Sequence, residues 1–502
     1  MSFILVIFSI FSPSLFAATV VIALSSSPNN IDPFFSTDGN SQNLNRLLHR
    51  SLIDFNKEMK FGCDLCTSYS ENVVNGTHEV NFILKKGIRF WDGAEITAPD
   101  VENSIKYFQD EKVNSIFRNA FLEIQKVEVL GKYEIKLKYK KFKLENLSNL
   151  CLLKIIKYKY GKEHSLENIT GAGGYKIKKN NPLVLTPSFE ATKPDFVFKV
   201  VKDETTLALK LINKEVDLSL ANISPRKEDW LRKKDSTLHL WSIPSSNYYY
   251  LGINLQREHL KSRNIRKALS LMVPRKRLMD YKIKDTGILA HSLFSPAFSE
   301  IFYPFPIDTQ NLKEAQQIFL KEGYSKNKEG YFTKNGQIFS LDWKVNNNRA
   351  SFEIVEIIKR SFEEGGIKVF LTTQEWGTFN RNFKNGAYDI VLASWQGFTG
   401  PDMLNFVFHS KNVPPIGGNR GHYINPEVDK LLDLAEAETK EDQRNKIYFK
   451  VQTIIDYDLP YISLWHPKVS WIGNDCISDI NLLPNGSFSP LLDIISNCNR
   501  KN

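Results

Sequence analysis

The sequence predicts an α/β protein built from several domains, and three observations carry that reading. The chain has 502 residues, more than one hydrophobic core organises, so about two to four units are expected. Short β-branched and aromatic runs alternate with amphipathic stretches of helical period along most of its length. Its 42% apolar and 24% charged residues are those of an ordinary globular protein.

At the N-terminus, residues 3–18 are apolar and uncharged, yet about 16 residues fall short of the ~20 that cross a bilayer. A secretory signal peptide over residues 1–18 fits better, with the small pair Ala17-Ala18 at the cut. Against it, no Lys or Arg precedes the apolar core and Leu15 is large for its place. No cysteine lies at the cut, so a lipid anchor is not expected. Residues 19–24 then read as a strand. Residues 25–45 are turn-rich, with Ile31-Asp32-Pro33-Phe34 and Asp38-Gly39, and a helix from about Gln42 turns Leu44, Leu47 and Leu48 inward.

Residues 80–108 hold the densest local signal. Residues 80–84 and 88–91 are β-rich runs joined by Lys85-Lys86-Gly87, and Asp92-Gly93 supplies left-handed turn chemistry. Thr97 is an N-cap with Asp100 completing a capping box, and Val101, Ile105 and Phe108 recur on one helical face. In residues 133–139, Tyr133, Ile135, Leu137 and Tyr139 alternate with charged residues, which predicts a half-buried strand. Farther on, Asp203 caps a helix with Ala208, Leu211 and Ile212 inward, and a strand follows at Val216-Asp217-Leu218. Residues 248–254 form another strand and 263–270 a helix, and Pro274 opens the next helix. Gly323 suits the left-handed position after the helix at 315–322. Ile354, Ile357, Ile358 and Phe362 mark a helix closed by Gly365-Gly366, with a strand at 367–371. Asn425-Pro426 caps a helix. Ile447, Val451 and Ile454 align a last helix before the strand at 459–465.

Leu84, Gly87, Phe90, Asp92, Gly93, Thr97, Ala98, Asp100 and Val101, nine positions over 18 residues, resemble the signature of the extracellular solute-binding proteins of family 5, the oligopeptide, dipeptide and nickel class. Further blocks follow in the family's order: Gly171-Ala172-Gly173-Gly174-Tyr175, the 203–218 unit with Lys214 at the family's glycine, residues 263–270, Tyr388-Asp389 to Trp395, and Asn425-Pro426-Glu427-Val428-Asp429. The match runs from about Ile31 to His466. The glycine run at 171–174 also faintly resembles a phosphate loop, but the following Tyr175-Lys176-Ile177 breaks the required spacing and a structural turn is the simpler reading.

The resemblance implies a two-lobed periplasmic-binding-protein clamp with an extra inserted domain. Its discontinuous domains are placed at 19–46, 172–248 and 468–502 (domain I), 47–171 (inserted domain II) and 249–467 (domain III, the second lobe). It also implies ligand contacts from the loop Thr37, Asp38, Gly39 and from Trp395, Gln396 and the residues beyond. Peptide binders of the family hold the ligand's α-ammonium with an aspartate three residues after the Trp. Here that position is Phe398, and Gly400 replaces the acid that often precedes the proline, leaving Asp402 as the nearest carboxylate. The expectation is a pocket that does not select a free α-ammonium at 398, with Asp402 in reserve. Arg349 either binds a ligand carboxylate bidentately or is an exposed loop arginine.

The net charge of +10 is uneven: ten lysines against Glu134 and Glu145 give residues 132–162 a charge of +8. That run reads as a lysine-protected strand edge, with docking to anionic envelope material the sharper alternative. Five cysteines leave at least one unpaired. Cys476 and Cys498 are candidates for a disulfide stapling the C-terminus. Cys63-x-x-Cys66 reads as a local disulfide or two inert thiols, with metal or redox chemistry the alternative. No H-E-x-x-H or G-x-S-x-G occurs and the nine histidines are scattered, so an enzyme is not expected.

The function expected is therefore an exported receptor of an ABC importer, holding a small-molecule or peptide-like ligand between its lobes and presenting it to a permease in the inner membrane. It is expected to be periplasmic and monomeric, without cofactor, metal or nucleic-acid partner. The alternatives are a nickel-chelate or other non-peptide binder, a regulatory sensor domain of the same fold and, third, a secreted hydrolase.

Overall fold

In the computed structural model the chain is described over residues 18–74, 76–161, 164–221 and 223–498. The leader expected at 1–18, but for Ala18, and Lys162 of the basic run lie outside the described residues.

One strand organises the molecule. Tyr461–Gly473 is 13 residues long, where the sequence suggested only its first part, and it belongs to both halves of a twelve-stranded sheet. Its beginning pairs antiparallel with Tyr248–Ile253 (Leu251 opposite Ile462), and its end with His239–Pro244 (Trp241 opposite Trp471). One half adds Thr19–Leu24, Asp195–Val200, Leu183–Pro187 and Tyr175–Asn180, with Thr19–Leu24 and Asp195–Val200 parallel. The other half adds Ile390–Trp395, Ser340–Asn346 and Lys368–Gln374. The central strands Thr19–Leu24, Tyr248–Ile253 and Ile390–Trp395 are buried on both faces, as expected where helices cover both sides, whereas the outer strands Tyr175–Asn180 and Lys368–Gln374 are largely exposed.

The chain crosses between the halves at residues 245–247 and at Pro467. There the N–H and hydroxyl of Ser245 both donate to the Pro467 carbonyl (2.9 and 2.7 Å), and His466 Nδ1 donates to the Asn247 carbonyl (2.9 Å). His466 is fully buried, and that burial holds its imidazole neutral, pushing its pKa down to about 4. Two crossings joined by hydrogen bonds make a narrow connection about which two lobes can move.

A separate four-stranded sheet, ordered Cys66–Val74, Thr77–Leu84, Glu134–Tyr139, Ile124–Gly131, packs against the helix Ala98–Gln109. The Asp100 carboxylate accepts from the N–H (2.8 Å) and hydroxyl (2.7 Å) of Thr97, and Val101, Ile105 and Phe108 are fully buried. Residues 88–91 do not join this sheet. Phe90 N–H donates to the Ala94 carbonyl and only Arg89 and Glu95 bridge, so the run folds back on itself around Gly93. The basic strand is a second correction: Glu134–Tyr139 is an interior strand rather than an edge. Its lysines are matched by glutamates of the neighbouring strands, Lys138 with Glu79 (3.1 Å) and Glu128 (3.2 Å), which a charge count along one segment misses.

The turn at 171–174 closes on the end of the helix Gly39–Leu48: a Cβ on Gly173 would lie 2.1 Å from the Leu47 carbonyl, so only glycine fits. Cys63 pairs with Cys66 and Cys476 with Cys498, with Cα–Cα distances of 5.0 and 4.9 Å, while Cys151 is buried and unpaired. Burial raises the Cys151 thiol pKa and keeps it protonated and inert.

Candidate ligand-binding site

The site is assembled from two parts of the chain that meet only in the fold. A cavity of about 580 Å³ lies between the inserted domain and the second lobe. The inserted domain contributes the turn Met59-Lys60-Phe61, the outer end of the strand Cys66–Val74, and Phe142 to Leu147. The second lobe contributes Phe298 to Ile301, the loop Thr399 to Asp402, and the start of the helix Glu441–Asp458. Its size and mixed apolar and charged lining are those of a small-molecule site.

The loop from Gln396 to Asp402 is held at both ends. Trp395 ends its strand buried, with the Arg420 guanidinium 4.5 Å over its ring and Phe406 edge-on. Gly397 then turns through φ +68° and donates its N–H to Asn247 Oδ1 at 2.9 Å, tying the loop to the crossing between the lobes. Phe398 stacks on Phe298 (5.5 Å) and meets Phe294 edge-on (6.0 Å), so it packs behind the Phe298 ring that lines the cavity. Asp402 precedes the helix Met403–Phe408, lines the cavity, and has its carboxyl pushed up to about 6, first by burial and then by the like charge of Glu145.

The cavity is bridged on its rim. Lys60 of the inserted domain pairs with Glu300 of the second lobe, and the Arg444 guanidinium lies 5.8 Å over the Phe142 ring. Burial, then the neighbouring Glu300, pushes the Glu441 carboxyl up. Glu300 itself stays low despite its burial because Lys60 donates to it. On the other side of the crossing Lys284 and Asp229 pair at 2.8 Å. A continuous apolar cluster joins Met59 and Phe82 to Phe298 and Phe398, so the two lobes are in contact around the cavity.

Of the eight residues singled out from sequence, Asp402 alone lines this cavity. The helix expected near Gln42 begins at Gly39, and Asp38 is its N-cap, its carboxylate accepting from Ser41 and Asn29. Thr37 and Gly39 are exposed beside it. Arg349 opens the helix Arg349–Gly365, is 92% exposed, and pairs with Glu353 at 2.9 Å. Gln396 is exposed and donates to Ser394 Oγ. Sequence reasoning missed the inserted-domain wall and the 298–301 and 439–445 segments, none of which carries a motif. Among the described residues, metal-ligand side chains converge at Asp217, Cys476 and Cys498, but both sulfurs are spent on the disulfide.

Two lobes on a shared strand, joined by two short crossings and enclosing a cavity, define a clamp-type solute-binding protein. The sequence model of the bacterial extracellular solute-binding proteins, family 5 (middle), matches residues 62–414. The chain belongs to that family, whose members are binding receptors rather than enzymes. It is 24% identical over 480 residues to the oligopeptide-binding protein AppA of Bacillus subtilis, covering 89% of this chain and 86% of that one. It is likewise 24% identical over 500 residues to the glutathione-binding protein GsiB of Escherichia coli O6:K15:H31, covering 94% of each. Among solved structures, NikA from Brucella suis in complex with Fe(III)-EDTA superimposes with a TM-score of 0.82 at 18% identity, covering 95% of this chain and all of that one. No helix among the described residues is long and apolar enough to cross a membrane.

Proposed function

We propose that this receptor captures a peptide-like solute in the cavity between the inserted domain and the second lobe, and delivers it from the periplasm to an inner-membrane ABC permease. The observation that carries the reading is the cavity itself: its two walls belong to different lobes, so a ligand there contacts both only when they close. A ligand that binds the closed form alone shifts the equilibrium towards it. The relatives named for oligopeptides and glutathione support a ligand with peptide bonds, and the Fe(III)-EDTA complex of NikA supports a chelate as the second reading. The receptor acts as a monomer and is exported by its leader.

Small-angle scattering during titration with a tri- to pentapeptide mixture tests this. The account predicts a smaller radius of gyration at saturation and no chemical change in the peptides. An unchanged radius, or peptide turnover, contradicts it. Mass spectrometry of small molecules released from the purified protein separates the two readings, since a peptide supports the first and a metal chelate the second. N-terminal sequencing checks export, and an intact Met1 would overturn it.

A further inference from the structure

We propose that a second, smaller cavity binds a small oxyanion of the phosphate or sulfate class on the ammonium of Lys154. This cavity lies between the helix Gly39–Leu48, the C-terminal residues 483–492 and the strand pair Ile53–Phe55 and Phe61–Cys63. It shares no lining residue with the cavity between the lobes, so the proposal stands whatever solute that cavity takes.

Lys154 is buried, and its Nζ donates to the Ser51 hydroxyl at 2.7 Å and to the Cys151 carbonyl at 2.8 Å, both uncharged oxygens. An ammonium carries three protons, so one is left. Among the described residues Lys154 forms no ion pair, because the two carboxylates of the same wall are taken. Asp54 accepts from Arg46 Nε (2.8 Å) and Asp64 from Arg50 (2.7 Å). Each also accepts a backbone N–H at 2.8 Å, Asp54 from Phe55 and Asp64 from Ser51. Two guanidinium groups and one ammonium against two carboxylates leave the wall with a positive charge unmatched. A buried ammonium without an opposite charge in contact is costly, and burial pulls the Lys154 pKa down to about 8. A bound anion supplies the missing charge.

Further nitrogens of the wall are free. Arg50 Nε is buried without a hydrogen-bond partner. His49 is buried and its ring forms no hydrogen bond among the described residues. A Cβ on Gly171 would lie 2.7 Å from His49 Nδ1, so that edge of the ring is closed and Nε2 is the nitrogen left for a ligand. Burial, then the charge of Lys154, holds this imidazole neutral and pulls its pKa down to about 3, so it offers one N–H without adding charge. Ammonium, guanidinium and imidazole N–H groups around one space are the donors that oxyanions take. At about 230 Å³ the cavity is smaller than the ~300–1,000 Å³ of sites for drug-sized ligands, which suits a free ion or a short phosphate ester.

Isothermal titration calorimetry of the purified full chain with sodium sulfate, at ionic strength held constant with chloride, tests this. The proposal predicts saturable binding that weakens about tenfold from pH 7 to pH 9, because Lys154 in the free protein loses its charge through about pH 8. The groups that face Lys154 are His49, Arg46, Arg50, Asp54, Asp64 and Cys151. Carboxylates and guanidinium groups do not titrate near pH 8, while burial keeps His49 neutral and Cys151 protonated there. Lys154→Met should bind at least about tenfold more weakly, the scale of a charge-assisted hydrogen bond. Lys276→Met, at an exposed lysine paired with Asp280, should bind as the wild type does. Melting temperatures confirm that both variants fold, and the pH series on the wild type needs no variant. Titrations with inorganic phosphate and with glycerol 3-phosphate identify the source, the tighter of the two marking a free ion or an ester. Absence of saturable binding below ~10 mM, binding that stays constant from pH 7 to pH 9, or binding that survives in Lys154→Met overturns the proposal and leaves the peptide reading untouched.

Discussion

Asp402 shows what a single residue contributes to a site that the sequence only half reveals. Its position four residues beyond Phe398 is plain in the sequence, but whether its carboxyl reaches the cavity depends on the left-handed turn at Gly397 and its bond to Asn247. Those are contacts across 150 residues of chain, invisible to local pattern. Phe398 is readable from sequence as a residue without a charge to offer, whereas its packing on Phe298 is visible only in the fold. The raised carboxyl has a measurable consequence in the ligand-free protein. Its pKa is about 6 folded against an ordinary 3.8, so the native state holds the proton more tightly and loses stability as pH rises through that window. Glu145 and, on the helix Glu441–Asp458, Tyr448 are titratable groups that interact with it. Asp402→Asn removes this titration. Thermal melts should show the variant gaining on the wild type between pH 4.5 and 7.5, by up to about 2 kcal/mol after allowing for partial solvent exposure. A difference that does not change with pH would count against the buried, unpaired carboxyl.

At the scale of elements, what the sequence revealed most clearly was local chemistry. The Thr97 cap, the inward face of Val101, Ile105 and Phe108, and the first strand at Thr19–Leu24 follow from rules acting over a few residues. Lys214 is instructive in the same way, because it stands at the family's glycine and takes φ +56°, keeping the turn that a glycine would make without strain. What failed were statements about neighbours. Glu134–Tyr139 has the alternation of a half-buried strand, but whether it is an edge depends on Ile124–Gly131, which pairs on its far side. Residues 88–91 have strand composition, yet no partner strand lies beside them and they close on residues 94–96 instead. Two substitutions test the local reasoning. Thr97→Ala should lower the unfolding free energy by about 1 kcal/mol, read by urea titration, because the Asp100 carboxylate loses its hydroxyl partner while keeping the backbone one. Gly173→Ala should cost far more, since the new Cβ meets the main chain of Leu47 and Leu48 within 2.3 Å and no flexible side chain can yield. Soluble Gly173→Ala protein with a wild-type melting temperature would show that the turn is not packed as described.

For the whole molecule, the two-lobed arrangement was readable from the resemblance, whereas the element that unites the lobes was not. The strand Tyr461–Gly473 changes partners near Pro467, and a proline inside a run reads as an interruption until its position between two sheet halves is seen. The cavity was hidden for the same reason: its walls come from residues 58–61, 69–78, 142–148, 298–301, 399–402 and 439–445, which no window along the chain brings together. The central claim is that ligand capture draws these segments into one protected surface. Amide hydrogen exchange, with and without a saturating tri- to pentapeptide mixture, addresses it segment by segment. The account predicts slowed exchange in both Met59–Phe61 and Thr399–Asp402, on opposite lobes, together with the crossing at 245–247. Protection confined to one lobe, or protection appearing only away from these segments, would contradict it.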